Sequence, residues 1–215
     1  MYYYETGKKS GQLVVFIHGG YTDGSYFTHQ KNILPDKHCV FPDLPGWGKS
    51  KGIFTYKKAA KEVIKLIDEL SNNEKIIIVA HSFGGIVARK IIERIPEKIE
   101  KVVICSTNMR RDFSFIKHTT KVGFKNTPNR RKWIVIPTQL GAWNSYKKIK
   151  KSYDNIKGLF MYAKFDLPVV KESMENEWRK LITNSEVVFI DNTGHNFMVT
   201  KYEKTNDIIK TFIYS

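Results

Sequence analysis

The chain has 215 residues, of which 41% are hydrophobic and 13% aromatic, and a net charge of +15. This size and composition indicate one globular domain over residues 1–215 and exclude a disordered protein. No stretch approaches the roughly 18 consecutive apolar residues of a membrane-spanning helix.

Residues 1–11 are aromatic and then polar, without the charged and apolar regions of a signal peptide. We therefore expect a cytoplasmic protein. Cys39 and Cys105 lie in strand-like runs without metal-ligand spacing, so we expect two buried free thiols and no metal.

Short apolar runs alternate with longer segments of helical period, a pattern typical of an α/β fold with a mostly parallel sheet and helices on both faces. The runs predict buried strands at 13–19, 39–43, 75–81, 101–106, 159–164 and 186–191, with an antiparallel edge strand at 2–6. Helical spacing predicts helices at 56–70, 84–95, 170–182 and 204–213. The remaining segment, 108–157, is too long for a connection and is predicted to be a small helical insertion.

The strongest chemical signal is the sequence AHSFGG at 80–85, between a predicted strand and a predicted helix. Small residues around Ser82 permit a tight turn, and the helix N-terminus behind it favours developing negative charge. The segment resembles the Gly-x-Ser-x-Gly nucleophile elbow of the α/β-hydrolase fold superfamily, with Ala80 in place of the first glycine. The resemblance implies that Ser82 is a nucleophile.

Two further segments are similar to motifs of this family. His18-Gly19-Gly20 resembles its oxyanion-hole loop, which implies that the backbone N–H groups of Gly20 and Phe83 hold an oxyanion while His18 supports the loop. The sequence DLPGWGKS at 43–50 is closely similar to a structural turn of the family.

The family carries its acid and base in the order Ser, Asp/Glu, His. His195 follows the last predicted strand and Asp166 follows the strand before it. The resemblance implies a triad in which Ser82 attacks, His195 is the general base and Asp166 orients the imidazole, without a cofactor.

The sequence leaves other assignments of the acid and of the histidines open. Asp191, four residues before His195, is an alternative acid. The family's other acid position, after the strand 101–106, reads Ser106-Thr107-Asn108 and offers no carboxylate. Core or surface roles are expected for the remaining histidines, which are His29, His38, His81 and His118.

The segment 110–157 holds thirteen Lys/Arg and two Asp/Glu, and so eleven of the fifteen net positive charges. In this family the corresponding segment often forms a cap over the active site. Apolar residues recur at helical spacing from Trp143 to Ile156, which predicts an amphipathic helix there. The apolar positions are Trp143, Tyr146, Ile149, Tyr153 and Ile156, with Lys147, Lys148, Lys150 and Lys151 between them.

The positive charge of this segment has three interpretations. A basic cap attracts an anionic substrate, or makes weak peripheral contact with an anionic membrane, or carries solvated lysines only. AT-biased coding also produces abundant lysine. A nucleic-acid partner is not expected, because no recognition motif accompanies the charge.

The resemblance implies hydrolysis of a carboxylic ester or thioester on a small acyl substrate, through an acyl-enzyme on Ser82. The alternative is a non-hydrolytic enzyme of the same fold, a lyase or acyltransferase acting on a small anionic substrate. A non-catalytic binding module is a third hypothesis. The acyl chain length, the leaving group and the oligomeric state do not follow from the sequence.

Overall fold

Alternate side chains of the strand Leu13–Ile17 are buried on opposite sides of one sheet. The computed structural model describes residues 1–146 and 148–215, apart from the side chains of Arg130, Arg131 and Pro168. Val15 and Ile17 pack into one apolar cluster. Val14 and Phe16 pack into a second cluster on the other face, because successive side chains of a strand point in opposite directions.

The described residues form a seven-stranded sheet in the order β1-β3-β2-β4-β5-β6-β7. Its strands are β1 (Tyr3–Gly7), β2 (Leu13–Ile17), β3 (His38–Pro42), β4 (Ile76–His81), β5 (Ile99–Cys105), β6 (Lys157–Ala163) and β7 (Ser185–Ile190). Strand β1 pairs antiparallel with β3, and the other neighbours are parallel. The predicted fold class and the antiparallel edge strand are confirmed.

Helices cover both faces of this sheet. They are α1 (Tyr56–Leu70), α2 (Phe83–Ile92), α3 (Phe113–Asn126), α4 (Val135–Ser145), α5 (Pro168–Glu172), α6 (Arg179–Leu181), α7 (Phe197–Thr200) and α8 (Tyr202–Tyr214), and a π-helical segment, Ser173–Trp178, joins α5 to α6. Short 3₁₀ turns occur at Gly24–Phe27, Pro96–Lys98 and Asn129–Ile134. Helices α1 and α2 pack into the first cluster and α8 into the second.

Helices α3 and α4 form an antiparallel pair between β5 and β6. The Phe113 ring lies 4.7 Å from the Trp143 ring, and the Thr119 hydroxyl donates to the Gln139 side-chain oxygen at 2.9 Å. The first contact joins the start of α3 to the end of α4, and the second joins the middles of the two helices. The helices are therefore antiparallel. We call residues 113–145 the helical hairpin.

The helix predicted from Trp143 to Ile156 is wrong. Helix α4 ends at Ser145, and Tyr153 forms a parallel β-bridge with Ile182. The Tyr153 N–H donates to the Leu181 carbonyl at 2.8 Å, and the Tyr153 and Ile156 side chains are buried. Backbone pairing and burial of these side chains outweigh their helical spacing. Lys147 lies outside the described residues.

Cys39 and Cys105 are buried free thiols, as the sequence predicted. Within residues 1–146 and 148–215, the structure contains no helix with the length and apolar character needed to cross a bilayer.

Candidate active site

Ser82 lies in the turn between β4 and α2, at the carboxyl end of the parallel strands. Its φ of 52° and ψ of −123° are a strained conformation for a residue other than glycine, at a cost of about 1–3 kcal/mol. Small neighbours make the turn possible, since a Cβ on Gly84 would lie 2.2 Å from the Ile17 carbonyl oxygen. The Ser82 N–H donates to the Cys105 carbonyl at 2.8 Å, which ties the turn to β5. Ala80 is fully buried in β4, so its methyl group fits there.

The structure brings together the three side chains that the sequence singled out. His195 Nε2 lies 2.9 Å from Ser82 Oγ, and His195 Nδ1 lies 2.8 Å from Asp166 Oδ1. Asp166 follows β6 and His195 follows β7, and the carboxyl ends of parallel strands meet at one edge of the sheet. The Asp166 side chain is 1% exposed and that of His195 39%.

Asp166 is held as a carboxylate by its surroundings. Burial acts to raise its pKa, but hydrogen bonds from His195, Ser106 and the Ala163 N–H, together with the charge of His195, outweigh burial and hold the pKa below its usual value. The Ser106 hydroxyl donates to Asp166 Oδ2 at 2.5 Å, and the Ala163 N–H donates to the same oxygen at 3.0 Å.

Ser106 is a site residue that the sequence reasoning missed. In the sequence, Ser106 shows only that this position offers no carboxylate. The available signal was its place directly after β5, since the residue that ends one parallel strand lies beside the residues that end the next. Asp191, the alternative acid, instead lies half-exposed with its carboxylate 3.8 Å from Lys164 Nζ.

The turn at 43–50 supports the loop after β2. The buried His18 ring accepts the Leu44 N–H at Nε2, at 3.0 Å. Asp43 accepts the Gly24 N–H at 2.9 Å and the Lys49 N–H at 2.7 Å. His18 and Asp43 therefore bind this turn to the loop that contains Gly20.

Gly20 and Phe83 lie side by side next to Ser82. A Cβ on Gly20 would lie 2.4 Å from the Phe83 ring, and both residues line the same cavity as Ser82. Phe83 is the first residue of α2, where a backbone N–H has no acceptor within the helix.

A cavity of about 440 Å³ opens above Ser82, Asp166 and His195, a volume in the usual range for small-molecule sites. One wall comes from α3, with Phe115, His118 and Val122. Among the described residues that line it there is neither lysine nor arginine, so the described lysines and arginines of residues 110–157 lie outside this lining. Within the same described residues, no group of three or more His, Cys, Asp or Glu side chains is placed to hold a metal ion.

The other histidines occupy varied positions. The His29 ring stacks on Tyr202, and His38 Nε2 lies 2.8 Å from a Glu5 carboxylate oxygen. His118 is exposed but also lines the cavity, which its isolated position in the sequence did not indicate.

His81 is buried beside the site. Its Nε2 lies 3.0 Å from the His195 carbonyl oxygen, and its ring stacks on Tyr26. Burial lowers the pKa of His81 to about 3, and the charge of His195 acts in the same direction. The ring is therefore neutral near neutral pH and donates Nε2–H to the His195 carbonyl.

This buried ring predicts acid sensitivity of the fold. The pKa of His81 is about 3 in the folded chain, against an ordinary value of 6.5, so below pH 6.5 the unfolded chain binds a proton that the folded chain does not. The free energy of unfolding is expected to fall between pH 6.5 and pH 3, by up to about 1.4 kcal/mol per pH unit from this group. Urea unfolding at a series of pH values measures this slope.

The variant His81→Gln keeps a donor and removes the titration, so its slope is expected to be shallower than that of the wild type. Some slope remains, because burial also lowers the pKa of His18. His29→Gln, at an exposed position, is the matched control and keeps the wild-type slope. Equal slopes in the wild type and His81→Gln would contradict the prediction.

Tyr21 connects the loop of Gly20 to the helical hairpin. It has a φ of 65°, and its hydroxyl oxygen accepts a hydrogen bond from the Gln139 side-chain amide at 2.6 Å. Gly123 permits this approach, since a Cβ there would lie 2.4 Å from the Tyr21 ring. Tyr21, which directly follows Gly20, thus contacts both α3 and α4.

Tyr21→Phe is expected to lower the free energy of unfolding by about 1 kcal/mol, because the buried Gln139 amide loses an acceptor. Urea denaturation measures the change. Tyr214→Phe removes a hydroxyl from an exposed tyrosine and is expected to change stability by less than about 0.5 kcal/mol. Equal effects of the two variants would show that the contact between Tyr21 and Gln139 contributes nothing.

Comparison with known families agrees with this architecture. Residues 12–139, more than half of the chain, match the family model of the alpha/beta hydrolase fold. The chain belongs to this family, and the proteins similar to it in sequence include ones named epoxide hydrolase and putative methylesterase.

Individual relatives match part of the chain. A cis-3-alkyl-4-alkyloxetan-2-one decarboxylase from Shewanella oneidensis is 33% identical over 45% of this chain and 33% of its own length. Epoxide hydrolase 1 from Caenorhabditis elegans is 33% identical over 54% of this chain and 30% of its own length. The chain thus spans about a third of the length of these curated relatives.

Among solved structures, a thermophilic esterase from Thermogutta terrifontis superimposes with a TM-score of 0.77 at 20% identity, covering 99% of this chain and 92% of that one. At this identity the similarity demonstrates a shared fold.

Proposed function

We propose that this protein hydrolyses carboxylic esters or thioesters through an acyl-enzyme on Ser82. The observation that carries the proposal is the continuous chain from Asp166 through His195 to Ser82, with contacts of 2.8 and 2.9 Å. Because Asp166 is ionised, the Nδ1 of His195 carries its proton and donates to it. Nε2 is then free to accept the Ser82 proton.

The reaction begins when Ser82 Oγ attacks the carbonyl carbon and its proton passes to His195 Nε2. The imidazolium so formed is stabilised by Asp166, and it then protonates the departing alcohol or thiol. Water, activated by His195, attacks the acyl-enzyme in the second half of the reaction. The carboxylic acid leaves and Ser82 recovers its proton.

The negative oxygen of each tetrahedral intermediate is held by the backbone N–H groups of Gly20 and Phe83. The two residues are in contact and both line the cavity beside Ser82. Each donor of this kind lowers the activation free energy by roughly 2.7–4 kcal/mol.

Residues 108–157 act as a cap over the site. In support of this role, α3 supplies one wall of the cavity, and Tyr21 joins the hairpin to the loop of Gly20. The cavity holds about 440 Å³, with Phe115 and Val122 on the cap side and Leu167 and Val170 on the other. This lining suits a neutral, apolar acyl group of short to medium length.

The names of the relatives span a decarboxylase, an epoxide hydrolase and an esterase, so a lyase or acyltransferase is the competing possibility. Serine as the nucleophile favours acyl transfer to water. A panel of nitrophenyl esters from acetate to palmitate, with an acyl thioester, tests the proposal. Turnover is expected to be highest for chains near butyrate and to decline for longer ones.

Intact mass after treatment with a fluorophosphonate probe accompanies the panel. One probe adduct together with ester turnover supports the hydrolase. An adduct without turnover of any ester would favour a non-hydrolytic enzyme. Failure of both adduct and turnover would refute the catalytic proposal and favour a binding module.

A further inference from the structure

The helical hairpin exposes large apolar side chains to solvent. Phe113 is 81% exposed, Trp133 62% and Leu140 58%, and Ile136 and Phe124 are also exposed. Scattered exposed apolar residues are ordinary, but a continuous apolar area marks an interaction site.

Most of these side chains lie on the solvent-exposed sides of α3 and α4. On α3, Phe113, Lys117, Lys121 and Phe124 follow helical spacing and are exposed, while Phe115 on the inner side is buried. On α4, Ile136 and Leu140 are one turn apart. Because the helices are antiparallel and Thr119 contacts Gln139, Leu140 lies level with the middle of α3 and Ile136 with its second half. We call the exposed residues of α3 and α4, together with the exposed Trp133 that precedes α4, the outer face of the hairpin.

The charge on the hairpin has one sign. Residues 113–146 contain six Lys/Arg and no Asp or Glu. Lys117, Lys121 and Lys125 are exposed on α3, next to the apolar side chains. Lysines beside aromatic and aliphatic residues on one face are the pattern of helices that lie in the surface of an anionic membrane.

The cavity opens beside this face. Val122 of α3 and Phe165 are 37% and 67% exposed, and both also line the cavity. Exposed apolar side chains therefore lie at the entrance of the site, and one of them, Val122, is on the same helix as Phe113 and Phe124.

We propose that the outer face of the helical hairpin binds the surface of an anionic lipid bilayer. The lysines attract the anionic lipid headgroups. Phe113, Trp133 and Leu140 enter the boundary between headgroups and acyl chains. A bilayer fits better than an acidic protein because the face combines uniform positive charge with bulky apolar side chains and has no carboxylate to pair with a partner's cations. Binding through this face does not depend on the chemistry at Ser82.

The test uses the full chain and vesicles of phosphatidylcholine, with or without phosphatidylserine. The protein is expected to sediment with the phosphatidylserine vesicles at low salt, to bind less as salt rises, and to remain in solution with phosphatidylcholine alone. Tryptophan fluorescence should shift to the blue on binding, because Trp133 leaves water whereas Trp47 and Trp178 are already buried. Absence of binding to either vesicle would overturn the proposal.

Two sets of variants locate the surface. Lys117→Glu/Lys121→Glu/Lys125→Glu is expected to weaken vesicle binding at least about 100-fold. The matched control, Lys8→Glu/Lys31→Glu/Lys75→Glu, makes the same change of charge with exposed lysines at the amino-terminal edge of the sheet. It is expected to weaken binding less than about threefold, since these lysines are remote from the bilayer.

Phe113→Ser/Leu140→Ser is expected to weaken binding at least about tenfold. Its control is Phe189→Ser, an exposed position on β7. None of the altered residues lines the cavity, and circular dichroism with thermal unfolding checks that each variant is folded. Equal losses in variants and controls would overturn the proposal. So would light scattering that shows the chain to be a dimer which Phe113→Ser/Leu140→Ser dissociates, since the face would then join two copies.

Discussion

Ser82→Ala is expected to lower kcat for a nitrophenyl ester by about a millionfold, the loss typical when a serine nucleophile is removed. The hydroxyl at 2.9 Å from His195 is the atom that forms the acyl bond, and His195 has no other hydroxyl to activate in the proposed mechanism. Alanine occupies the same strained turn, so the melting temperature should change little. Steady-state kinetics and thermal unfolding measure the two quantities.

The fluorophosphonate adduct should disappear in the same variant, which separates loss of the nucleophile from loss of the fold. Ser114→Ala, at an exposed serine of α3, is the control and should retain both the adduct and full turnover. Retention by Ser82→Ala of more than a hundredth of the wild-type rate would refute Ser82 as the nucleophile.

The sheet could be predicted because its strands carry strong local signals. The runs around Val15, Ile78 and Val103 are almost continuously Val and Ile, as strands buried on both faces require. Their carboxyl ends then lie at one edge by topology alone. The proximity of Ser82, Asp166 and His195 was therefore predictable from their positions after successive parallel strands.

Contacts between segments distant in sequence could not be predicted in this way. Tyr21 and Gln139 are in contact because the helical hairpin folds back over the loop after β2. No local sequence pattern at either residue predicts this contact. The helix predicted from Trp143 to Ile156 is wrong for the same reason. Helical spacing describes which residues are apolar, whereas the bridge between Tyr153 and Ile182 decided their backbone.

Asp166→Asn is expected to lower kcat by about 10⁴-fold, for a reason specific to the contacts of this carboxylate. Oδ2 accepts the Ala163 N–H, a backbone group that can only donate. The asparagine must therefore place its oxygen toward Ala163 and its NH₂ group toward His195. An NH₂ facing Nδ1 requires an unprotonated Nδ1, so the proton moves to Nε2. Nε2–H cannot accept the proton of Ser82.

The other candidate acid supplies the control. Asp191→Asn changes a half-exposed carboxylate beside Lys164 and is expected to leave kcat within about twofold of the wild type, since the effect of an exposed ion pair is small. The fluorophosphonate adduct should form slowly in Asp166→Asn and at the normal rate in Asp191→Asn. If the effects were reversed, His195 would take its orientation from Asp191 during turnover. The contact of 2.8 Å to Asp166 would then be a feature of the resting state alone.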